Sequence, residues 1–149
     1  GVAGATDTHV VHERPDPTTM GAVRDSGNAA FEMADREPAD VDVAELHDMF
    51  TILELLQFED LGFAQKGEGW RAAADGRTAR DGDIPINTSG GLKSKGHPLG
   101  ASGVAQAVEV YEQVLGEAGP RQVDADLGLA CNVGGFGNCV TTTLLEVAE

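Results

Sequence analysis

The chain is short of basic residues, cysteines and long apolar runs, and each shortage excludes a class of function. Ten Lys and Arg stand against 25 Asp and Glu in 149 residues, which gives a formal net charge of -15. Nucleic-acid phosphates and anionic membrane surfaces would repel such a chain, so we expect neither as a partner. No apolar stretch approaches the length of a membrane span, and no signal peptide opens the sequence. These features predict a soluble cytoplasmic protein.

Only two cysteines occur, Cys131 and Cys139, and they are too few for a disulfide framework. No paired ligands stand at zinc spacing, so we predict no metal site. The acidic excess comes with only three lysines. This composition favours adaptation to high salt, because screening makes a densely acidic surface tolerable. We therefore expect a halophilic source.

The pattern of apolar residues predicts a single α/β domain over residues 1–149. A strand end runs into a loop at 2–11, and further strands are predicted at 41–46, 83–87, 126–133 and 139–147. Helices are predicted at about 17–35, from the start signal Asp16-Pro17, at 51–61 and at 101–116. Residues 64–82 are expected to form a long loop. The run 134–137 joins the last two strands as an antiparallel hairpin. The predicted architecture is a layered fold with a mixed β-sheet flanked by helices.

Apolar residues recur at helical spacing in the last predicted helix. They are Val104, Val108, Tyr111 and Leu115.

Three loops lie at strand ends or helix starts, where α/β folds usually carry functional groups. They are residues 47–50, 96–98 and 131–135. A thiol and two histidines (Cys131, His47 and His97) suit acyl-transfer or carbanion chemistry, and the amides of Gly134 and Gly135 could form an oxyanion hole. The alternative for Cys131 is a small buried core residue. The sequence Lys95-Gly96-His97 does not complete a phosphate-binding P-loop.

Three segments resemble thiolases in order and at family-like spacing. Residues 87–103, with Gly96-His97-Pro98, resemble the Gly-His-Pro block of that family. Residues 45–50 resemble the His-Asp-Cys-Phe block of the sterol-carrier-protein and archaeal thiolase branch, and residues 132–137 resemble its glycine loop. The resemblance implies the thiolase C-terminal fold, with a coenzyme A thioester as substrate and no other cofactor.

The resemblance also implies roles for particular residues. His97 matches the histidine that activates the nucleophile, and His47 matches the residue at the oxyanion water site. Cys131 lies where classical thiolases place the acid–base cysteine, whereas Met49 replaces the cysteine of the His-Asp-Cys-Phe block. Four residues around the Gly-His-Pro motif are candidates for binding substrate, with a solvated loop as the alternative for the lysines: Ser89, Gly90, Lys93 and Lys95.

The family's nucleophilic cysteine lies in an N-terminal half, and neither cysteine of this chain stands in its context. We therefore expect the C-terminal domain of an acetyl-CoA acyltransferase, inactive alone and completed by an N-terminal thiolase half or by oligomerisation. Archaeal members of the family also pair with a zinc-ribbon and oligonucleotide-fold protein, which is a further expected partner. Two alternatives stay open: a non-catalytic module that binds acyl-CoA or a partner, and an aldolase subunit acting on CoA thioesters.

Overall fold

The computed structural model describes residues 1–148, which contain a four-stranded sheet. The strands are β1 (Val2–Thr6), β2 (Val43–Leu46), β3 (Leu127–Gly134) and β4 (Cys139–Glu146), in the spatial order β1-β4-β3-β2. Both neighbours of β4 are antiparallel to it, whereas β2 runs parallel to β3. The predicted α/β fold with a mixed sheet and a closing antiparallel hairpin is therefore confirmed.

Helices cover both faces of the sheet. They are α1 (Gly21–Ala34), α2 (Thr51–Asp60), α3 (Gly69–Ala74), α4 (Gly91–Lys95) and α5 (Ser102–Val114). Helix α1 packs on β1 and β4, and α5 packs mainly on β3 and β2. Among the helices of residues 1–148, none has the length and hydropathy to cross a membrane.

Side chains alternate across β3, and the alternation divides them between α1 and α5. Leu129 and Cys131 belong to the apolar core cluster that includes the buried residues of α1. Gly128 faces the other way, because a Cβ there would collide with Val110 of α5. Asn132 has the parity of Gly128 and therefore lies on the α5 face as well. One face of β3 thus builds the core, and the other carries small residues and Asn132.

Helix α5 turns a polar face to the sheet. Gln106 is fully buried, and its Nε2 donates to the carbonyl oxygens of Glu45 (3.2 Å) and Cys131 (3.1 Å). These bonds attach α5 to both β2 and β3. The apolar residues at helical spacing point outward instead, and all four are exposed: Val104, Val108, Tyr111 and Leu115.

Two predictions between residues 64 and 87 were wrong. The segment expected as one long loop contains α3, which packs against α2. Residues 83–87 form no regular strand, and Ile86 makes only an isolated parallel bridge to Ala44. The segment still follows the edge of β2, since the Asn87 amide donates to the Ala44 carbonyl at 2.8 Å.

The first helix begins at Gly21, later than the sequence signal predicts. The carboxylate of Asp16 accepts hydrogen bonds from the hydroxyls of Thr18 (2.7 Å) and Thr19 (2.7 Å) and from the Thr18 backbone amide (2.9 Å). These bonds close a turn, and they lower the pKa of Asp16 to about 2 through hydrogen bonding to its charged form. The signal at Asp16 therefore marked a turn, because the same side chains stabilise both structures.

Candidate active site

His47 directly follows β2. The strands β2 and β3 are parallel, and Leu46 is the register partner of Cys131. Continuing that register by one residue sets His47 beside Asn132. Gln57 of α2 fixes the backbone here, because its Oε1 accepts the His47 amide (3.0 Å) and its Nε2 donates to the His47 carbonyl (2.8 Å). The imidazole is therefore held at the strand end, where it is 2% exposed.

His97 reaches the same place from the loop between α4 and α5. Its ring centroid lies 4.9 Å from that of His47, with the ring planes at 79°. The Nδ1 atom of His97 lies 2.7 Å from Ser102 Oγ, and this hydroxyl donates to the Pro98 carbonyl at 3.3 Å. When the hydroxyl donates to Pro98 it can accept from Nδ1–H, and in this tautomer of the neutral imidazole Nε2 is free to accept a proton. The fold thus brings the two predicted histidines together.

The environment of His47 favours its neutral form. Burial lowers the pKa of this imidazole, and the neighbouring charge of His97 lowers it further. Its Nδ1 is buried without a hydrogen-bond partner among residues 1–148, and the same holds for Oε1 of Gln106. The side chains of Asn132 and Gln106 lie next to the same ring, and hydrogen bonding from them acts in the opposite direction on its pKa, which it raises.

Cys131 lies on the face of β3 opposite to the one that carries Asn132, and this placement argues against its predicted acid–base role. Its side chain is fully buried on the core face of the sheet, where the Thr142 hydroxyl donates to Sγ at 3.8 Å. Burial raises the pKa of this thiol to about 12. The buried environment therefore disfavours the thiolate, which is the form that a proton-transferring cysteine needs. The register gives the reason, because the partner of Cys131 is the core residue Leu46.

Asn132 is the site residue that the sequence analysis missed. Its side chain lines the cleft together with both histidines. Gly103 of α5 leaves room for it, because a Cβ on Gly103 would lie 2.8 Å from Asn132 Cγ. Strand alternation was the available signal, since two consecutive residues of β3 face opposite sides of the sheet.

The cleft between the histidine loops and the β3–β4 turn has a volume of about 510 Å³. Among the described residues that line it, the two histidines are the only ionisable side chains. No group of three or more His, Cys, Asp or Glu within residues 1–148 is placed to hold a metal ion. The wall also carries apolar side chains, among them Met49, Leu99, Val104 and Phe136.

Two of the predicted substrate-binding residues, Ser89 and Lys95, form hydrogen bonds within the fold. Lys95 Nζ lies 2.8 Å from Glu45 Oε2 and 2.8 Å from Ser89 Oγ, and the Ser89 hydroxyl donates to Glu45 at 2.6 Å. Glu45 is fully buried, so Lys95 neutralises a carboxylate that water does not reach, and it is not free to meet a coenzyme A phosphate. Lys93 is exposed on α4 and stays a candidate. Gly90 precedes α4 with a φ of 89°.

The predicted glycine loop forms one wall of the cleft. Gly134 and Gly135 both line it, and donation from their amides to an oxyanion stays a prediction. Arg14 fixes this loop from the outside, because its Nη2 donates to the Phe136 carbonyl at 2.6 Å. The Arg14 side chain is 4% exposed, so the contact is shielded from solvent.

The sequence of the chain matches a known protein family. Residues 3–147 match the family model described as "Thiolase C-terminal domain-like". The acetyl-CoA acetyltransferase of Methanothermobacter thermautotrophicus is 53% identical over 136 residues, which cover 91% of this chain and 36% of that protein. Sterol carrier protein 2 of Homo sapiens is 43% identical over 125 residues, which cover 83% of this chain and 23% of that protein. The chain therefore spans about a third or less of the length of these relatives.

A solved structure described as "Ltp2-ChsH2(DUF35) aldolase" has a similar fold. The TM-score is 0.84 at 25% sequence identity, and the match covers 98% of this chain and 38% of that chain. The similarity therefore extends over nearly the whole of the fold described above.

Proposed function

The chain belongs to the thiolase family through its C-terminal domain, and we propose that it supplies the histidine side of an acyl-CoA thiolase active site. The reaction is the Claisen condensation of CoA thioesters or its reverse, thiolysis, with acyl-CoA as substrate and no other cofactor. The observation that carries this proposal is the placement of His47 and His97, with ring centroids 4.9 Å apart, on the wall of one cleft.

The contact with Ser102 suits His97 to act as a base. Ser102 holds its Nδ1, so Nε2 is the atom that accepts a proton from an attacking thiol. Asn132 and His47 line the same cleft, where a side-chain N–H can donate to the thioester oxygen as it gains charge.

The nucleophilic cysteine is proposed to come from an N-terminal thiolase portion. The exposed apolar residues Val104, Val108, Tyr111 and Leu115 form a stripe along α5. Val104 is 65% exposed and also lines the cleft, so this stripe is continuous with the site. An element that covers the stripe would bring its own side chains to His97. We propose the N-terminal portion as that element, with a second copy of the chain as the competing occupant. A zinc-ribbon and oligonucleotide-fold protein is a further proposed partner.

The test uses the assembled protein, by which we mean this chain joined to or mixed with the N-terminal portion of its thiolase. It should cleave acetoacetyl-CoA with CoA into acetyl-CoA. The variant His97→Ala should lose at least about 10²-fold in turnover, because the base is gone. The matched control is His12→Ala, which removes an exposed histidine outside the cleft and should keep the wild-type rate. Unchanged turnover in His97→Ala would contradict the proposal.

An aldolase function is the second candidate, because no thiol lines the cleft among the described residues and the structural neighbour is described as an aldolase. Aldol cleavage of a 3-hydroxyacyl-CoA needs a base but no acyl-enzyme. Release of an aldehyde or ketone from such a substrate, without thiolysis of acetoacetyl-CoA, would favour this candidate. Binding of acyl-CoA with neither reaction would favour the non-catalytic module.

The cellular setting is proposed from the composition alone. A formal net charge of -15 supports adaptation to high salt, because screening by salt makes a densely acidic surface tolerable.

A further inference from the structure

The cleft is lined by His47, His97 and Asn132, and of these only the two histidines can carry a proton. We propose that His47, and no thiol of this chain, moves the α-proton of the acyl-CoA substrate. This inference rests on the thiolase function proposed above, and it replaces the role that the sequence resemblance gave to Cys131.

The two cysteines of the chain lie outside the cleft. Cys131 is fully buried on the core face, and its register partner is Leu46, whereas the cleft face at this level carries Asn132 and His47. Cys139 is exposed at the start of β4 and does not line the cleft. A thiol of this chain would therefore have to cross the sheet or leave its strand to reach the substrate.

The positions next to the histidines do not replace the thiol. Met49 and Asn132 both line the cleft, but a thioether has no proton to transfer and a carboxamide does not titrate near neutral pH. Ser102 is engaged with His97. Among the described residues of the cleft, the proton carriers are thus the two imidazoles, and His97 is already needed to activate the nucleophile.

His47 has the features of the second base. Gln57 forms hydrogen bonds with both the amide and the carbonyl of His47, so the backbone that carries the ring is held in place. Its Nδ1 has no hydrogen-bond partner among residues 1–148, and burial lowers the pKa of the ring, which favours the neutral form that can accept a proton. The neighbouring His97 ring, at a centroid distance of 4.9 Å, sets the thiol-activating base and the α-proton base side by side.

The proton that His47 removes is passed on within the same reaction. A ring nitrogen of His47 removes the α-proton, the C–H bond breaks, and its electron pair forms the enolate of the thioester. The enolate carbon attacks the acyl carbonyl of the acyl-enzyme, and the bond from that carbon to the cysteine sulfur breaks. The departing thiolate takes the proton from the His47 imidazolium, so both groups return to their starting forms.

Exchange of the α-hydrogens of acetyl-CoA with D₂O isolates this step, because it needs the base and not the nucleophile. The assembled protein is incubated with acetyl-CoA in D₂O, and deuterium incorporation is followed by mass spectrometry. We expect wild-type protein to catalyse the exchange and His47→Asn to lose about 10²- to 10⁴-fold. Asparagine keeps a side-chain N–H donor, so this loss reports proton transfer and not a missing hydrogen bond. His47→Gln gives a second variant of the same kind.

Cys131→Ala and Cys139→Ala are the matched controls, and both should exchange at the wild-type rate. Exchange at the wild-type rate in His47→Asn and His47→Gln, or loss of exchange in Cys131→Ala with its circular dichroism spectrum intact, would overturn the inference. Thiolysis is measured on the same samples. Active thiolysis with unaffected exchange in the His47 variants overturns only this inference, whereas absence of both activities in the wild type overturns the proposed function as well.

Discussion

Removing the amino group of Lys95 should destabilise the fold far more than removing that of Lys93. Lys95 Nζ contacts Glu45 Oε2 at 2.8 Å, and the two side chains are 21% and 1% exposed. The substitution Lys95→Ala leaves Glu45 as a buried carboxylate, with Ser89 as its remaining donor. Breaking a buried ion pair from one side costs about 3–5 kcal/mol. We expect the lower end, about 3 kcal/mol, because water reaches Lys95.

Urea denaturation followed by circular dichroism measures this difference. For a chain of this size, about 3 kcal/mol corresponds to a fall of roughly 6–12 °C in Tm. Lys93→Ala is the matched control, since Lys93 is exposed on the same helix, and it should stay within about 0.5 kcal/mol of the wild type. The double variant Glu45→Gln/Lys95→Met should regain much of the lost stability, because it removes the unpaired charge. Equal stabilities for Lys95→Ala and Lys93→Ala would refute the reasoning.

Three further substitutions test the site. Ser102→Ala removes the 2.7 Å contact that orients His97, and thiolysis by the assembled protein should fall about 10- to 100-fold with the unfolding midpoint in urea little changed. Gly103→Ala places a Cβ 2.8 Å from Asn132 Cγ and should lower the free energy of unfolding by about 1–3 kcal/mol in urea, whereas helix propensity alone predicts a gain of about 1 kcal/mol. The pKa of His47 is lowered from 6.5 in the folded protein, so below that pH the unfolded chain binds a proton more readily than the folded protein does. The contribution of His47 to stability should therefore be complete above about pH 6.5 and should decrease as the pH falls below it. His47→Gln should reduce this decrease, as measured by urea titrations at pH 7 and pH 5.

The fold class could be predicted from the sequence because its signals are local. The β3–β4 hairpin follows from two apolar runs joined by glycines, and α1, α2 and α5 follow from helical periodicity. Periodicity does not say which face of a helix meets the sheet, however. In α5 the polar Gln106 is buried and the apolar Tyr111 is exposed, because hydrogen bonds from Gln106 to two strands decide the orientation.

The site was partly predictable for a similar reason. His47 and His97 were found through motifs, and the structure places them together. The role of Cys131 was inferred from its position in a motif, but the parity of a strand decides which side chain faces the cleft, and it favours Asn132. The partner of Lys95 is Glu45, fifty residues earlier, and sequence spacing carries no information on such a contact.

The most direct test of the site is a structure of the assembled protein with acetyl-CoA bound. The account predicts the thioester in the cleft beside His47 and His97, with its oxygen or α-carbon within about 2.6–3.5 Å of an imidazole nitrogen, and the thiol of Cys131 still on the far side of the sheet. A thioester bound outside this cleft, or a structure in which Cys131 contacts the substrate, would contradict it.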